Sequence, residues 1–443
     1  MSAVRDTIAA IATPPGRGGI GVVRISGSSC IEIAHALLSQ LPQPRQATLA
    51  NFKSIEGSVI DRGLALYFPA PHSYTGEDVL ELQAHGGPVL LDMLLKCALG
   101  AGARQARAGE FTERAFLNDQ LDLSQAEAVA DLIDAASERA VRAARRSLEG
   151  EFSNRVHAIT ETLIQLRVHI EAGLDFADDS PGSLTSAEFT TAIEALITQV
   201  NTARQAALCG RRLRDGFKVV IAGAPNVGKS SLLNRLCGTD SAIVTEVPGT
   251  TRDLISESII LDGLVIELTD TAGLRTSQDT VEKIGIQRAI EHSRKADLVL
   301  LVFDDDQGPG SQGQALLNSL PAGCASLMIQ NKIDRNSTQC SPWPQAIAVS
   351  AKSGEGFSAL LAAIQTCAGD TASEGEFSAR QRHVLALDNA YDSLVNAQSL
   401  YNHEPELIAE ELRRAQLALE AITGRFSSDD LLGRIFSSFC IGK

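Results

Sequence analysis

One eight-residue segment limits what this chain can fold into more than any other: Gly223-Ala-Pro-Asn-Val-Gly228-Lys229-Ser230. A β-branched, apolar run at residues 218–222 precedes it, and a helical pattern at residues 231–236 follows it. The pattern G-x-x-x-x-G-K-S between a strand and a helix lets backbone N–H groups converge on phosphates, which requires glycine at the close approaches. Lys229 is expected to reach the β and γ phosphates, and Ser230 to offer its hydroxyl to Mg²⁺. The segment predicts a nucleotide-binding α/β domain.

Two motifs later in the chain identify the base. Asn331-Lys-Ile-Asp334 follows a buried-strand pattern, and Ser350-Ala-Lys352 follows the next one. An ionised carboxylate only accepts hydrogen bonds, so Asp334 matches the N1–H and the exocyclic amine of guanine. Adenine presents an acceptor where guanine carries the N1 proton. The expected ligand is therefore GTP rather than ATP.

Two segments between these motifs are typical of switches that sense the γ-phosphate. Gly249-Thr-Thr251 supplies Thr251 as the expected second Mg²⁺ ligand beside Ser230. Asp270-Thr-Ala-Gly273 ends a strand pattern, with the Asp270 carboxylate directed to Mg²⁺, directly or indirectly, and a glycine whose backbone can sense the γ-phosphate. The residues expected to contact GTP are Asn226, Val227, Gly228, Lys229, Ser230, Ser231, Thr245, Glu246, Val247, Pro248, Gly249, Thr250, Thr251, Asp270, Thr271, Ala272, Gly273, Asn331, Lys332, Asp334, Ser350, Ala351 and Lys352.

The residue after the Asp270 motif departs from the pattern of Ras-like GTPases. Those enzymes place a Gln there to orient the attacking water, whereas Leu274 cannot hydrogen-bond to water. Glu282 is a carboxylate in the same segment and our candidate for orienting the water, directly or through a second water. The alternative is that Glu282 caps or decorates a helix face. The catalytic candidates of the nucleotide site are Glu282 and Lys229.

Composition excludes a protein that grips nucleic acid by bulk electrostatics. Lys and Arg number 39 and Asp and Glu number 54, so the net charge is −15, whereas phosphate binding requires clustered cations. The 4% of aromatic residues and the single Trp give little material for stacking on bases. Any contact with RNA is expected to be local or to be supplied by a partner.

The cysteine pattern and the short apolar runs indicate a cytosolic protein. Eight cysteines are scattered without a C-x-x-C pair, which favours reduced thiols without a metal. The first residues lack the apolar core of a signal peptide, and the apolar runs are far shorter than the ~20 residues needed to span a bilayer. We expect a cytoplasmic protein with no membrane segment.

The residue pattern changes three times along the chain. Residues 1–117 combine short β-branched runs with two helical stretches, which predicts a small α+β domain. Residues 118–215 and 376–443 have helical spacing, and residues 216–375 alternate buried strands with helices. Because helical patterns flank the α/β part on both sides, we expect one all-α helical domain that carries an inserted Ras-like α/β P-loop GTPase domain.

Distinctive motifs also lie outside the α/β part. They include Thr13-Pro-Pro-Gly-Arg-Gly-Gly-Ile-Gly21, Tyr74-Thr-Gly-Glu-Asp78, Gly109-Glu-Phe-Thr-Glu-Arg114 and the terminal Cys440-Ile-Gly-Lys443. With these motifs the chain resembles, over its whole length, the MnmE (TrmE) family of tRNA-modification GTPases. Because they lie outside the GTPase domain, they separate this family from other GTPases.

The resemblance implies a second site, for a tetrahydrofolate derivative in its 5,10-methylene or 5-formyl form. It is expected in the N-terminal domain and is formed on dimerisation, with residues Arg24, Glu81 and the terminal Lys443. The family usually has a Lys at the third position of the segment Asn118-Asp-Gln120-Leu-Asp-Leu123. If that Lys contacts the folate tail, Gln120 keeps the hydrogen bonding and loses the charge.

The resemblance further implies K⁺ in the nucleotide site, bound by Asn226, Thr245, Val247 and Thr250. A monovalent cation there acts electrostatically where an arginine finger is missing. It also implies a homodimer whose GTPase domains meet transiently, and a heterotetramer with the flavoprotein MnmG, which brings FAD. The complex is expected to add a carboxymethylaminomethyl or aminomethyl group to C5 of the wobble uridine of tRNA. The alternative is a GTP-dependent ribosome or RNP assembly factor without modification chemistry.

Two weaker signals leave alternatives open. Cys440 is either a small buried hydrophobe beside a C-capping Gly442 or a nucleophile, since a thiolate can add to C6 of a pyrimidine; it is our third catalytic candidate. A basic helix face is predicted at Arg139, Arg142, Arg145 and Arg146. That face is either solvated or an RNA-binding patch.

Overall fold

The structure is a computed structural model and describes residues 6–175, 185–238, 256–270, 296–304, 309–318, 320, 324–335, 345–368, 377–400, 405–424, 429–437, 439–440 and 442. The chain divides into two compact units. The first comprises Met1–Ala130, Leu148–Val168 and Ala409–Lys443, and the second comprises Asp131–Ser147 and His169–Ile408.

Helices account for much of the described chain. They are α1 (Cys30–Leu38), α2 (Pro88–Gly100), α3 (Glu110–Leu117), α4 (Leu123–Asp134), α5 (Glu138–Leu148), α6 (Glu151–Asp175), α7 (Ser186–Asp215), α8 (Lys229–Cys237), α9 (Gly310–Asn318), α10 (Phe357–Ala368), α11 (Gln381–Ser399), α12 (Pro405–Thr423) and α13 (Asp429–Ser437). Within the described residues, no helix is long and apolar enough to cross a membrane.

The first unit is built on a six-stranded sheet. Its strands are β1 (Ile8–Ile11), β2 (Gly18–Ser26), β3 (Thr48–Lys53), β4 (Val59–Phe68), β5 (Val79–Gly86) and β6 (Arg104–Gln105). Their order is β3-β4-β5-β2-β1-β6; the β1–β6 pair is parallel and the other pairs are antiparallel. Successive side chains of a strand point to opposite faces, so the buried Leu80, Leu82 and Ala84 of β5 share one face.

Helices α1 and α2 pack on this sheet. Ile33 and Leu37 of α1 and Leu94 of α2 belong to the same buried cluster as Leu80 and Leu82. Helical spacing of three and four residues places such side chains on one stripe. The strands and helices found here confirm the α+β interpretation of the N-terminal residues.

The C-terminal residues of the first unit pack against α3 and α4. Phe436 and Phe439 form a buried cluster with Leu123 and Ala126. Gly109, which precedes α3, has φ +66°, and a Cβ there would lie 2.5 Å from the carbonyl oxygen of Phe436. This close approach of two backbones requires glycine.

The second unit contains a mostly parallel sheet. Its strands are β7 (Phe217–Ala222), β8 (Ser256–Leu261), β9 (Leu264–Asp270), β10 (Leu298–Asp304), β11 (Ala325–Asn331) and β12 (Ile347–Ala348). Their order is β12-β11-β10-β7-β9-β8, with β8 antiparallel to β9 and the other pairs parallel. The central β7 ends where the phosphate loop begins.

Both faces of this sheet are covered, as expected for a doubly wound domain. Val219 and Ile221 of β7 belong to a cluster that includes Leu232 of α8 and Leu360 of α10. Val220, which points the other way, lies in a second cluster that Leu317 of α9 packs against. Alternation along β7 therefore follows the helices on either side, and the α/β interpretation is confirmed.

Helices α5, α7 and α11 make up much of the rest of the second unit. Helix α7 begins with a capping box in which Thr185 Oγ1 accepts from the N–H of Glu188 and the Glu188 carboxylate accepts from the N–H of Thr185. The helix continues to Asp215, and the side chains of Arg211, Arg212 and Arg214 in its last turns donate to carboxylate or carbonyl oxygens of this unit.

Helical residues flank the α/β part on both sides, as expected. The three fold types, an α+β part, a helical part and an inserted α/β part, are therefore confirmed. The boundaries at residues 117, 215 and 375 stay predictions.

Candidate functional site

The phosphate loop has a backbone that few side chains would tolerate. Gly223 has φ +149°, and a Cβ there would lie 2.0 Å from the carbonyl oxygen of Val302 on β10. Gly228 has φ +95° and caps the N-terminus of α8, and its Cβ would lie 2.4 Å from Asn331 Nδ2. Asn226 also has a positive φ, +65°. The predicted glycines are thus required by the neighbouring strand and by the base motif.

Lys229 is held inside this loop. Its residue is 7% exposed, and Nζ donates to the carbonyl oxygens of Gly223 at 2.9 Å and Ala224 at 2.8 Å. The ammonium lies at the first turn of α8, whose N-terminus carries partial positive charge. Ser230 and Ser231 follow in the same turn and are exposed. The arrangement suits the charged oxygens of a polyphosphate.

Asn331, in the first base motif, joins the phosphate loop to the second base motif at Ser350–Lys352. It is 1% exposed, its Nδ2 donates to the carbonyl oxygen of Val227 at 2.9 Å, and its Oδ1 accepts from the N–H of Ala351 at 3.0 Å. Lys332 follows with φ +69°, and its Nζ donates to the carbonyl oxygen of Asn226 at 2.6 Å and to Asp304 Oδ2 at 2.7 Å. Three predicted motifs are therefore connected by direct hydrogen bonds.

The Asp334 carboxylate is oriented by a hydroxyl. Ser350 Oγ donates to Asp334 Oδ1 at 2.7 Å and accepts from the N–H of Ser353 at 3.0 Å. The hydrogen bond from Ser350 holds the pKa of Asp334 below its ordinary value, so the group is an ionised acceptor at neutral pH. The carbonyl oxygen of Lys352, the residue before Ser353, accepts a hydrogen bond from Arg235 Nη1 at 3.1 Å.

Part of the predicted nucleotide site lies outside the described residues. Asp270 ends β9, and only its backbone is described. The predicted site residues beyond the described part of the chain are Thr245, Glu246, Val247, Pro248, Gly249, Thr250, Thr251, Thr271, Ala272, Gly273, Glu282 and Lys443.

A second polar site lies on the sheet of the first unit. Arg24 on β2 and Glu81 on β5 are directly opposite each other in the strand register. Arg24 Nε donates to Glu81 Oε1 at 2.8 Å, and both side chains are about one fifth exposed. The guanidinium carbon lies 5.5 Å from the ring centre of Tyr74 and 5.8 Å from that of Phe111. The Arg24 guanidinium therefore pairs with a carboxylate and also lies at cation–π distance from two aromatic rings.

Gly442, near the C-terminus, lies close to the Arg24–Glu81 pair. Gly442 is buried with φ +97°, and a Cβ there would lie 2.4 Å from the carbonyl oxygen of Ile11 at the end of β1. Its own carbonyl oxygen lies 3.4 Å from Arg24 Nη1. Cys440 is exposed, so its interpretation as a small buried hydrophobe is wrong. The interpretation as a nucleophile stays a prediction.

Gln120 lines an open depression next to this ion pair. The same depression is lined by Arg45, His72 and Tyr74, and the Tyr74 ring also lies near the Arg24 guanidinium. Gln120 Nε2 donates to the carbonyl oxygen of Asn118 at 3.1 Å. Tyr74 thus links the Arg24–Glu81 pair to the depression that Gln120 lines.

Sequence reasoning missed three residues of this second site: Tyr74, Phe111 and Arg45. Tyr74 and Phe111 belong to motifs that the family resemblance uses, and aromatic residues are scarce in this chain, with 4 Tyr and 14 Phe. Scarcity was an available signal for both. Arg45 has φ +60° in a connecting segment, and no pattern in the sequence indicates its neighbours.

The basic face of α5 is partly occupied by contacts of this unit. Arg139 Nη1 donates to the carbonyl oxygen of Asp262 at 3.1 Å, and Arg142 pairs with Glu138 at 3.1 Å on an exposed surface. These contacts agree with a face that serves packing and solvation.

A phosphate loop at the carboxyl end of a central parallel strand, hydrogen-bonded to a guanine-specific carboxylate motif, defines the class of P-loop GTPases. Two family models match this chain: the GTP-binding protein TrmE N-terminus at residues 7–120 and the MnmE helical domain at residues 123–440. The chain therefore belongs to the MnmE (TrmE) family of tRNA modification GTPases.

Individual relatives agree with this assignment. The tRNA modification GTPase MnmE of Nitrosococcus oceani is 50% identical over 99% of this chain and 97% of that protein. The protein of the same name from Stutzerimonas stutzeri is 50% identical over 100% of both chains. Among solved structures, the G domain of the T. maritima FeoB iron transporter is 28% identical, with a TM-score of 0.26, and covers 35% of this chain and 99% of that one.

Proposed function

We propose that this chain is a K⁺-stimulated GTPase that modifies C5 of the tRNA wobble uridine together with the flavoprotein MnmG. The product group is carboxymethylaminomethyl or aminomethyl, and its added carbon comes from a tetrahydrofolate derivative. The observation that carries this proposal is the Arg24–Glu81 pair beside Tyr74, a second polar site outside the GTPase fold. An assembly factor without modification chemistry has no need of such a site, and the relatives are named tRNA modification GTPases.

The second site has the chemistry that a reduced pterin needs. A pterin has an N–H next to an amino group, and a carboxylate such as Glu81 can accept hydrogen bonds from both. It also has a carbonyl oxygen, to which a guanidinium such as that of Arg24 can donate. The rings of Tyr74 and Phe111 supply apolar contact for a flat ring system. Bound there, the folate supplies the one-carbon unit. We assign Gln120 and the terminal Lys443 to its remaining polar groups.

In the nucleotide site, each residue has a separate task. Lys229 neutralises charge on the β and γ phosphates, and Asp334 selects guanine. Ser230, Thr251 and Asp270 would hold Mg²⁺, and Asn226 with Thr245, Val247 and Thr250 would hold K⁺. Both ions add positive charge where the transition state becomes more negative.

We propose that Glu282 orients the attacking water, because Leu274 occupies the position where Ras-like enzymes use Gln. Glu282→Ala should leave GTP affinity near normal and lower the turnover rate by a hundredfold or more, since general-base assistance contributes about 10² to 10⁴ in rate. Turnover measured by phosphate release, with nucleotide affinity from a fluorescent GTP analogue, separates the two effects. Unchanged turnover would remove Glu282 from the mechanism.

We assign the exposed Cys440 to the uridine chemistry: its thiolate adds to C6, so that C5 can attack the one-carbon unit, and loss of the C5 proton then expels the thiolate and restores the C5–C6 double bond. Cys440 lies two residues before Gly442, whose carbonyl oxygen is near Arg24. The net charge of −15 leaves no bulk field to attract tRNA, so local contacts and MnmG must bind it. FAD enters only with MnmG.

The assembly we propose is a homodimer that joins MnmG in a heterotetramer in the cytoplasm. Residues 1–117 would carry the folate site and the dimer contact. Residues 216–375 would hydrolyse GTP, and residues 118–215 with 376–443 would connect the two. GTP hydrolysis drives rearrangement of the complex and contributes no atoms to the product.

The proposal is tested by mass spectrometry of nucleosides from the tRNA of cells that lack the gene, with and without the intact chain supplied on a plasmid. We expect a C5-substituted wobble uridine to disappear and to return with the plasmid. An unchanged nucleoside profile would contradict the modification function.

Folate binding is tested separately by calorimetry with 5-formyltetrahydrofolate. Glu81→Gln should weaken binding tenfold or more, and Glu32→Gln, at an exposed position of α1, serves as its matched control.

A further inference from the structure

Asp131 is a buried carboxylate near the C-terminal end of α4, 7% exposed. Its Oδ1 accepts from Arg214 Nε at 2.7 Å and from Arg380 Nη2 at 2.8 Å. Its Oδ2 accepts from Ser378 Oγ at 3.0 Å. One side chain thus gathers three donors that are 83, 249 and 247 positions away in the chain.

These donors lie on the two segments that connect the helical and α/β parts. Arg214 is in the last turn of α7, and the central strand β7 begins three residues later at Phe217. Ser378 and Arg380 lie between α10 and α11, where the chain returns from the α/β part to helix. Asp131 therefore fixes both the entry and the exit of the α/β part to one atom group of α4.

The two connections also hold each other. A Cβ at Gly210 of α7 would lie 2.1 Å from the carbonyl oxygen of Phe377, so the backbones are in contact. Arg211 Nη1 donates to Gln381 Oε1 and its Nη2 to Asp297 Oδ1, each at 2.7 Å. Asp297 directly precedes β10. The described residues of the two connections are thus in backbone contact and joined by hydrogen bonds; we call this group of residues, with Asp131, the junction.

Chain connectivity joins this junction to both candidate sites. Gly223 of the phosphate loop directly follows the six residues of β7, a strand of about 20 Å at 3.3 Å per residue. In the other direction, α4 begins at Leu123, three residues after Gln120 of the second site. A buried, multiply bonded charge has one favourable arrangement, because moving any partner leaves a charge unpaired in a poorly hydrated place.

We propose that Asp131 is a positioning residue of the modification reaction: it fixes the α/β part to α4, so that the rearrangement driven by GTP hydrolysis in the α/β part is transmitted toward the second site. It takes no part in GTP hydrolysis itself. This inference rests on the proposed function, because it assumes that GTP hydrolysis drives a modification reaction elsewhere in the chain.

The test compares GTP turnover with tRNA modification in the full-length protein. Asp131→Asn removes the charge and keeps the size of the side chain. We expect its kcat and KM for GTP to stay within about threefold of the wild type, while the wobble modification in complemented null cells falls tenfold or more, the equivalent of 1.4 kcal/mol. Asp131→Glu, which restores the charge, should recover part of the modification.

The matched control is Asp388→Asn. Asp388 of α11 pairs with Arg204 of α7, so this variant also removes a carboxylate–arginine pair between these two helices, away from both connections. It should leave modification and turnover unchanged. If Asp131→Asn modifies tRNA as well as the wild type, or if its turnover and modification fall by the same factor, the inference is wrong.

A milder variant keeps the test informative if Asp131→Asn does not fold. Ser378→Ala removes one hydrogen bond to Oδ2 and retains both arginine contacts. It should lower modification about threefold at unchanged turnover, and equal modification would overturn the inference. The wild-type chain separates the two proposals: if it fails to restore any modified uridine, the proposed function itself is contradicted.

Discussion

The hydroxyl of Ser350 donates to Asp334 Oδ1, which orients this ionised carboxylate and lowers its pKa below the ordinary value. An ionised carboxylate has no proton to donate, so it can face only the donor edge of a purine. Base selection therefore depends on the charge and the orientation of a single side chain. The sequence motif predicted the residue, and the structure adds the group that orients it.

Asp334→Asn should shift the preference from guanine toward xanthine. The amide presents a donor where xanthine has a carbonyl oxygen and guanine has its amine, and each tenfold change in affinity corresponds to about 1.4 kcal/mol. We expect GTP binding to weaken at least tenfold relative to xanthosine triphosphate, measured by competition with a fluorescent nucleotide. Retained GTP selectivity would contradict the assigned pocket. Ser350→Ala should weaken GTP binding without changing the preference for guanine over xanthine.

Glu110 is a second carboxylate whose charge is held by its neighbours, in this case for stability. It is 2% exposed, and burial alone would raise its pKa. Hydrogen bonds from Arg104 and from the N–H of Arg107, together with the Arg104 charge, lower the pKa to about 2. The group therefore joins β6 to α3 as an anion.

This lowered pKa predicts an acid-dependent loss of stability. The contribution of Glu110 is complete above its unfolded pKa near 4.5 and is lost as the pH falls toward 2. The shift corresponds to about 3 kcal/mol. Urea unfolding of the wild type and of Glu110→Gln should differ by about that free energy at pH 7 and converge near pH 2. A difference that does not change with pH would exclude this role.

At the scale of elements, the packing of β7, β10 and α8 determines the conformation of the phosphate loop. The carbonyl of Val302 on β10 lies where a Gly223 side chain would be, and Asn331 lies where a Gly228 side chain would be. The loop conformation is thus imposed by strands that pair next to it. Local spacing predicted the motif, and pairing in the sheet explains why each glycine is needed.

Gly223→Ala should abolish nucleotide binding. Its Cβ would lie 2.0 Å from the Val302 carbonyl oxygen, so either the loop or the β7–β10 pairing must move. We expect at least a hundredfold loss of GTP affinity and a lower unfolding temperature, since overpacking and backbone strain each cost about 1–3 kcal/mol. Gly433→Ala, in α13 with no atom within 4 Å of the added methyl group, is the control and should be tolerated.

Features formed by residues close together in the chain could be predicted from the sequence, and contacts between distant residues could not. The phosphate loop is a contiguous motif, so spacing alone identified it. Arg24 and Glu81 come together only through the register of β2 and β5, and residue patterns carry no register between strands 57 positions apart. Asp131 meets Arg380 across 249 positions, and no periodicity indicates that pair.

The wrong interpretation of Cys440 has a similar origin. A cysteine beside a glycine at the end of a helical pattern is often buried. Here Gly442 is the residue that packs against β1, and Cys440 remains exposed. Which of two neighbouring residues is buried depends on how the C-terminal residues lie on the sheet, and local sequence does not determine that.

At the scale of the whole molecule, the chain combines a GTP site and a second polar site in different compact units. The GTP site is built on a parallel sheet with helices on both faces, and the second site on a mostly antiparallel sheet. In the proposed reaction GTP contributes no atom to the product, so GTP hydrolysis can affect modification only through movement or assembly of the molecule. We therefore expect modification to fail when GTP cannot be hydrolysed.

The most direct test measures the modified wobble uridine in the tRNA of null cells that carry the Lys229→Ala variant. Lys229 Nζ is buried in the phosphate loop, and its removal should stop hydrolysis. Lys218→Ala, at an exposed position of β7, is the matched control. By mass spectrometry, the wild type and Lys218→Ala should restore the C5-substituted uridine, and Lys229→Ala should restore less than a tenth of it. Full restoration by Lys229→Ala would contradict the account.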